Sequence, residues 1–146
     1  MPNSVPFRSI CPVATSLDII GDKWTLLILR DMIWGHKSLF NEFQQSIESI
    51  PSKMLANRLK KLEELGFVSK TKGNLNKKSV YYLLEKRGLD TFPMMVEMAV
   101  FSSKHFIDHL GATFTKEARS IMKTNREGYI SELVINYRKF KRNLVI

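Results

Sequence analysis

The segment of residues 50–70 constrains this chain most, because it has the pattern of an amphipathic helix followed directly by a strand. The leucines that share one side of the helix are Leu55, Leu59, Leu62 and Leu65. The opposite side carries Lys53, Asn57, Lys60 and Glu64. One face therefore packs into a core, and the other is available to a partner. Cations near a helix N-terminus, where the helix dipole also attracts anions, indicate a partner that carries phosphate.

Both ends of this helix have capping residues. Ser52 is expected at the N-cap, where its side-chain oxygen accepts a hydrogen bond from an otherwise unpaired backbone N–H. Gly66 is expected to end the helix in a left-handed conformation, which glycine adopts at little cost.

The positive charge of the chain is concentrated around this helix. The 146 residues carry a formal charge of +9. Residues 51–87 hold ten basic residues against three glutamates, and residues 115–146 hold eight against three. Such a cluster releases counterions on meeting DNA or RNA, so it predicts nucleic-acid binding that weakens with salt. The alternative is a lysine-rich surface that only keeps the protein in solution.

Two helices are predicted at the start of the chain. Residues 11–20 form a short helix that ends at Gly21. Val13, Leu17 and Ile20 share one face of this helix. Asp22 caps a second helix over residues 23–34, which is apolar around most of its circumference and therefore belongs in the centre of the core.

A third helix over residues 38–46 completes the element that contains the basic helix. Its inward side chains are expected to be Leu39, Phe40 and Phe43. Residues 47–51 form the turn to the basic helix. Two short helices joined by a tight turn, the second with a basic face, make a helix-turn-helix.

A β-hairpin is predicted immediately after Gly66. Residues 67–71 and 79–84 have the composition of strands, and residues 72–78 between them combine Gly, Asn and three lysines. A hairpin with a basic tip beside a basic helix is typical of a winged helix. The predicted fold is therefore mainly α with a small β-hairpin, a winged helix-turn-helix DNA-binding domain with flanking dimerisation helices.

The sequence resembles the HxlR-type winged helix-turn-helix transcription regulators, a family related to the MarR regulators. The resemblance lies in the motif Cys11-Pro-Val, in residues 17–31 and 40–43, and in residues 50–68 and 81–88. It implies a homodimer that binds double-stranded DNA at a two-fold symmetric operator and regulates transcription. The helix that begins near Ser52 would lie in the major groove, and the hairpin would act as the wing.

The expected DNA contacts follow from this resemblance and from the position of the charges. On the basic helix and in the wing they are Ser52, Lys53, Met54, Asn57, Arg58, Lys60, Lys61, Lys72, Asn74, Lys77 and Lys78, and before the helix-turn-helix they are Lys37 and Ser38. Asn57 has the side chain that pairs bidentately with adenine. Arg58 also has a structural interpretation, because it lies beside the core stripe, where Glu63 or a backbone carbonyl could pair with it.

Residues 89–146 are expected to form a helical dimerisation extension of one domain that spans residues 1–146, with the helix-turn-helix and wing over residues 11–88. A long helix over residues 89–110 begins or bends at Pro93 and offers a dimer interface. The residues expected in that interface are Phe92, Val96, Val100 and Phe101. Three methionines on this helix suggest an adaptable pocket for a small-molecule effector instead. Residues 115–146 form one or two amphipathic helices that help to complete the dimer.

Catalysis is not expected, because the motifs for it are absent from the sequence. The single cysteine excludes an internal disulfide and a zinc site built from cysteines. His105 and His109 are four residues apart, but no third ligand completes a metal site. Neither a nucleophile–base motif nor a phosphate-binding loop is present, so no cofactor is expected.

The chain is expected to be cytoplasmic, since it has neither a secretory signal nor an apolar run long enough to span a membrane. Two other functions stay open. Cys11 is either a redox or electrophile sensor, as the corresponding cysteine is in some HxlR-type regulators, or a small buried residue that packs against a partner subunit. The winged helix could also bind RNA or another protein, or the chain could primarily bind a ligand.

Overall fold

The computed structural model describes residues 5–73, 78–110 and 116–145, and its elements begin with two helices. Helix α1 spans Pro12–Ile20 and helix α2 spans Lys23–Ile33. Asp22 caps α2 as predicted, because its carboxylate accepts a hydrogen bond from the backbone N–H of Thr25 at 3.0 Å. The side chains of α2 that are fully buried are Ile28, Leu29, Met32 and Ile33. This confirms α2 as the central helix of the core.

The helix-turn-helix consists of α3, Phe40–Gln44, and α4, Ser52–Glu64. The turn between them passes through Ser49, whose φ of 57° is left-handed. The predicted N-cap of α4 is wrong by one residue. Pro51 occupies the cap with a φ of −59°, so Ser52 falls in the first turn of the helix and its hydroxyl accepts a hydrogen bond from Gln44 at 2.9 Å instead.

The apolar stripe of α4 is buried as predicted. Its members Leu55, Leu59, Leu62 and Leu65 all belong to the main hydrophobic core. Gly66 follows with a φ of 79°, which confirms the expected left-handed end of the helix and lets the chain turn directly into a strand. The left-handed conformation of Gly66 thereby sets the angle between α4 and the hairpin.

The hairpin pairs β1, Val68–Lys72, with β2, Val80–Leu84, in antiparallel register from Val68↔Leu84 to Lys72↔Val80. The outer edge of β2 is also bonded, because the Tyr82 N–H donates to the carbonyl of Ser38 at 2.7 Å. The expected contact residues Asn74 and Lys77 lie outside the described residues.

The region after the wing is divided into short helices rather than one long helix. Helix α5 spans Lys86–Leu89, α6 spans Phe92–His105 and α7 spans Ile107–Leu110. Pro93 occupies the first turn of α6, where its missing N–H leaves no hydrogen bond unmade. At Phe106 the backbone leaves the helical region, with φ −134° and ψ 34°, and this separates α6 from α7.

Two residues that were expected in a dimer interface are buried inside the single chain. Phe92 and Val96 have no exposed surface, because this side of α6 packs within its own subunit. Val100 is half-buried, and Phe101 is exposed. The apolar pattern identified the buried face of α6, but that face is largely covered intramolecularly.

The last two helices, α8 over Lys116–Thr124 and α9 over Arg126–Val145, fold back onto the winged helix. Tyr137 of α9 is completely buried, and its hydroxyl accepts the N–H of Leu84 at 2.7 Å. The ammonium of Lys141 donates to the carbonyl of Leu84 at 3.0 Å. Burial raises the pKa of Tyr137 to about 12, so its hydroxyl stays protonated at neutral pH. One core therefore includes residues from both the winged helix and the tail.

Helix α1 buries only one end of its apolar face. Ile20 is buried, but Val13 and Leu17 are 69% and 61% exposed, and the preceding Ile10 is entirely exposed. These three exposed residues, Ile10, Val13 and Leu17, are called the α1 ridge below. No described helix is both long enough and apolar enough to cross a lipid bilayer.

Candidate nucleic-acid interface

The outward face of α4 carries most of the side chains expected to contact DNA. Ser52, Lys53, Asn57 and Lys60 are exposed along it, while their helix is held from behind by the buried leucines. Met54 and Lys61 lie at the two borders of this face and are half-buried. Lys61 is tied to the protein, because its ammonium donates to the carbonyl of Asp18 at 3.2 Å.

Arg58 lies between this face and the core, and its partner is Asp22 rather than Glu63. Its Nε donates to Asp22 at 2.9 Å, and the side chain is 21% exposed. Its Nη1 donates to the side-chain oxygen of Asn57 at 2.5 Å. Burial by itself raises the pKa of Asp22, but hydrogen bonds from Thr25 and Arg58 outweigh it and hold that pKa below its usual value. Arg58 thus ties α4 to the start of α2.

The residues expected to contact DNA before the helix-turn-helix point inward. Ser38 is only 3% exposed, and its carbonyl is bonded to the edge of the hairpin. The ammonium of Lys37 lies 3.2 Å from a carboxylate oxygen of Asp31 and 3.2 Å from the hydroxyl of Ser46. Burial of Ser38 and the pairing of Lys37 both argue against direct contact with a phosphate.

Asp31 is the centre of a polar cluster that sequence reasoning missed. It is buried in the apolar helix α2 and accepts hydrogen bonds from Arg30, Lys37 and Ser46. Arg30 also forms a bidentate pair with Glu48 in the turn before α4, at 2.5 and 2.8 Å. This cluster fixes the helix-turn-helix turn against α2. The sequence signal that could have revealed this cluster is Asp31 itself, a carboxylate on a side of α2 that is otherwise apolar.

The pairing of Arg30 with Glu48 shifts the pKa values of both groups. The hydrogen bond to Glu48 raises the pKa of Arg30 further above its ordinary value. The same hydrogen bond lowers the pKa of Glu48, although partial burial opposes it. Both groups are therefore charged at neutral pH, and the turn is held by a charge-assisted contact.

The hairpin places further cations beside α4. Lys72 at the end of β1 and Lys78 before β2 are exposed at the distal end of the described strands. Lys70 lies along the hairpin with its ammonium 5.7 Å from the centre of the Tyr82 ring, which is a cation–π contact. The basic charge of the wing is therefore greatest at the end farthest from the core.

Cys11 is exposed and immediately precedes the first turn of α1. It is not buried within the single chain, so the interpretation as a packing residue requires a partner subunit to cover it. In sequence it lies within the α1 ridge, whose side chains are mostly exposed within the described chain. A second exposed apolar group lies on α6, where Met98 and Phe101 are 47% and 59% exposed.

An apolar groove of about 350 Å³ runs between α2 and α6. Its lining includes Trp34, Met95 and Met98, with Arg30 and Ser102 as polar groups. Two of the three methionines that suggested a pocket thus lie in it. Within residues 5–73, 78–110 and 116–145, no three histidine, cysteine or acidic side chains are grouped as metal ligands.

Comparison with known proteins gives consistent matches. A family model for the HxlR-like helix-turn-helix matches residues 19–109, so α8 and α9 lie beyond the matched part. The Bacillus subtilis (strain 168) protein YybR, named an HTH-type transcriptional regulator, is 35% identical over 66% of this chain and 76% of its own length. The crystal structure of PA1607 superposes with a TM-score of 0.61 at 33% identity, covering 68% of each chain. The redox regulator HypR in its oxidised form gives a TM-score of 0.57 at 32% identity, over 64% of this chain and 96% of HypR.

Proposed function

The chain belongs to the HxlR-like helix-turn-helix family of DNA-binding transcription regulators, and from that premise we propose that it acts as a homodimer on a two-fold symmetric operator. The family consists of regulators and not of enzymes. In this proposal the N-terminal half of α4 enters the major groove and the wing contacts the flanking backbone. The protein would work in the cytoplasm, where the DNA of bacteria and archaea lies.

The observation that carries the proposal is the outward face of α4. Lys53, Asn57 and Lys60 are exposed on one side of a helix whose other side is anchored in the core. An α-helix fits the major groove of B-DNA, and its cations and amide can contact phosphates and base edges there. The proposed contact set is Ser52, Lys53, Met54, Asn57, Lys60, Lys61, Lys72 and Lys78, with Arg58 acting mainly through its neighbours.

A dimer is proposed because one winged helix reads only a few base pairs. Two half-sites about one helical turn apart give the specificity that a regulator needs, and a symmetric dimer supplies two recognition helices. The α1 ridge and the exposed side chains of α6 supply apolar surface for such an interface. Of the four residues expected from the sequence, Phe101 and the half-buried Val100 remain candidates, whereas Phe92 and Val96 do not.

Selection of bound sequences from random duplex DNA tests this proposal. We expect enrichment of an inverted repeat with half-sites about 10 base pairs apart, and binding of it that weakens steeply with salt. Sedimentation of the protein at micromolar concentration should give a dimer. Preference for single-stranded RNA over duplex DNA in competition, or tight operator binding by a monomer, would contradict it.

Thiol-based sensing is a second candidate function, favoured by the exposure of Cys11 at the start of α1. HypR, which this chain resembles, is described as a redox regulator. Because the chain has one cysteine, a disulfide must join it to a second copy or to a small thiol. In the first case two thiols lose two protons and two electrons to an oxidant such as diamide, and one S–S bond forms.

Treatment of the purified protein with diamide tests this sensing role. We expect a covalent dimer on a non-reducing gel, reversed by dithiothreitol, together with altered operator affinity. The variant Cys11→Ser should show neither effect while it binds the operator normally. Operator affinity that is unchanged by oxidation of the wild-type protein would remove the sensing role.

A further inference from the structure

Asn57 and Arg58 are adjacent on α4 but have different surroundings. Asn57 is exposed on the proposed DNA face, whereas Arg58 is held against the protein by Asp22 at 2.9 Å. The second contact of the guanidinium is with the amide of Asn57, at 2.5 Å. A guanidinium only donates hydrogen bonds, so the amide atom that faces it must be the oxygen. The chemistry of Arg58 thus decides which way the Asn57 amide is turned.

Asp22 is itself fixed, so the arrangement does not depend on one mobile side chain. Its carboxylate caps α2 by accepting the backbone N–H of Thr25 at 3.0 Å and the hydroxyl of Thr25 at 2.6 Å. Thr25 is almost completely buried in the core. Contacts therefore run from the core through Asp22 and Arg58 to the amide of Asn57. An amide held in this way is oriented before any ligand arrives.

We propose that Arg58 sets the base preference of Asn57 by holding its amide with the N–H groups outward. This inference rests on the proposed function, because it requires α4 to lie in the major groove. A purine edge that offers only acceptors, such as O6 and N7 of guanine, matches two outward N–H groups; O4 of thymine also accepts. Bidentate pairing with adenine requires the amide oxygen to face N6, whereas here the oxygen faces the guanidinium of Arg58.

Arg58 is a positioning residue in this account and not a base-reading residue. Its Nε and Nη1 are used inside the protein, and its side chain is mostly buried. Loss of Arg58 would free the Asn57 amide to turn and to present both its oxygen and its N–H groups. The preference at the base read by Asn57 should then move toward adenine.

Binding-site selection with the full chain tests the proposal on the wild-type protein and on Asn57→Ala and Arg58→Met. Asn57→Ala should abolish the preference at one position of each half-site and so identify the base that Asn57 reads. At that position the wild-type protein should prefer guanine over adenine by roughly 5- to 150-fold, the range for a good bidentate contact, and thymine over adenine by a smaller factor. Arg58→Met should bind adenine there at least as well as guanine and leave the other positions unchanged.

Arg87→Met is a matched control, since Arg87 donates to the carbonyl of Leu65, the C-cap of α4, at the end of the helix far from Asn57. It should lower stability without changing any base preference. If Arg58→Met does not fold by circular dichroism, Arg58→Lys replaces it, because one ammonium lacks the fork that joins Asp22 to Asn57.

Several results would overturn the proposal. One is a preference of the wild-type protein for adenine at the position that Asn57 reads. Another is that Arg58→Met or Arg58→Lys weakens binding to all sequences equally and retains the base preference. Unaltered selection by Asn57→Ala would show that Asn57 reads no base. The absence of any selected duplex for the wild-type protein would instead contradict the proposed function itself, so the two failures are distinguishable.

Discussion

Helices α1 and α4 have similar sequence patterns and opposite environments. Each has apolar residues at helical spacing along one side. On α4 these residues are buried in the core, whereas on α1 Val13 and Leu17 remain mostly exposed. The comparison shows that periodicity identifies an apolar face but does not identify what covers it. In α4 the cover is the same chain, and in α1 we propose that it is a second copy.

The largest expected effect is on the free energy of unfolding, when a leucine is truncated to alanine on the apolar face of α4 and on that of α1. Leu59→Ala should lower the free energy of unfolding by about 2–5 kcal/mol, because it leaves a cavity in the core. Leu17→Ala should change the stability of the single subunit by only about 0.5 kcal/mol, because its side chain is already exposed. Urea denaturation at low protein concentration measures both values. Equal losses in the two variants would mean that α1 is packed within the monomer.

The next effect concerns association. Val13→Asp places a charge on the α1 ridge and should weaken dimerisation by about 30-fold or more, the consequence of losing about 2 kcal/mol at an interface centre. Asn41→Asp is the control, because it adds the same charge at an exposed position of α3, outside the α1 ridge. Analytical ultracentrifugation over a range of concentrations compares the two. A dimer that tolerates Val13→Asp would move the interface away from α1.

The polar face of α4 gives a smaller effect that α1 should not share. Lys53→Ala should reduce the slope of log K against log salt by about 0.9, corresponding to one lost phosphate contact. Lys86→Ala removes an exposed charge that is paired with Asp90 outside the proposed interface, and it should leave the slope unchanged. Fluorescence anisotropy at several salt concentrations measures these slopes. An unaltered slope for Lys53→Ala would place the start of α4 off the DNA.

The smallest effect is expected at the turn that precedes α4. The pKa of Glu48 is lowered in the folded state by Arg30, so the pair stabilises the fold above the unfolded-state pKa of the carboxyl group. That contribution is lost as the pH falls through the lower folded-state pKa. Because the pair is partly exposed, Glu48→Gln should cost only up to about 1 kcal/mol at pH 7.

Denaturation of Glu48→Gln and the wild type at pH 7 and at strongly acidic pH measures this difference. The two proteins should converge in acid, where Glu48 is protonated. A difference that persists in acid would show that the carboxylate contributes something other than its charge.

Local sequence signals predicted the elements that depend on neighbouring residues. Asp22 caps the next helix because its partner is three residues away, and Gly66 turns the chain because it has no side chain. The winged helix and the faces of α4 followed from such signals. They failed at Ser52, where the turn conformation of the preceding residues, and not residue type, decided which residue caps the helix.

Contacts between distant residues could not be predicted in the same way. The helical wheel allowed a structural role for Arg58 beside a DNA contact, but its partner Asp22 is 36 residues away in sequence. The burial of Ser38, and that of Phe92 and Val96 within one subunit, likewise depends on what packs over them.

The sequence by itself determined the order of helices and strands, the apolar and basic sides of α4, and the family of this protein. Hydrogen bonding between near neighbours and helical periodicity are encoded locally, so they can be recognised without knowledge of the fold. Only the tertiary structure decided that Tyr137 closes the core against Leu84, that Arg58 joins Asp22 to Asn57, and that the α1 ridge lacks cover within the described chain. Such contacts depend on which surfaces meet when the whole chain packs, and many pairings are compatible with the same local pattern.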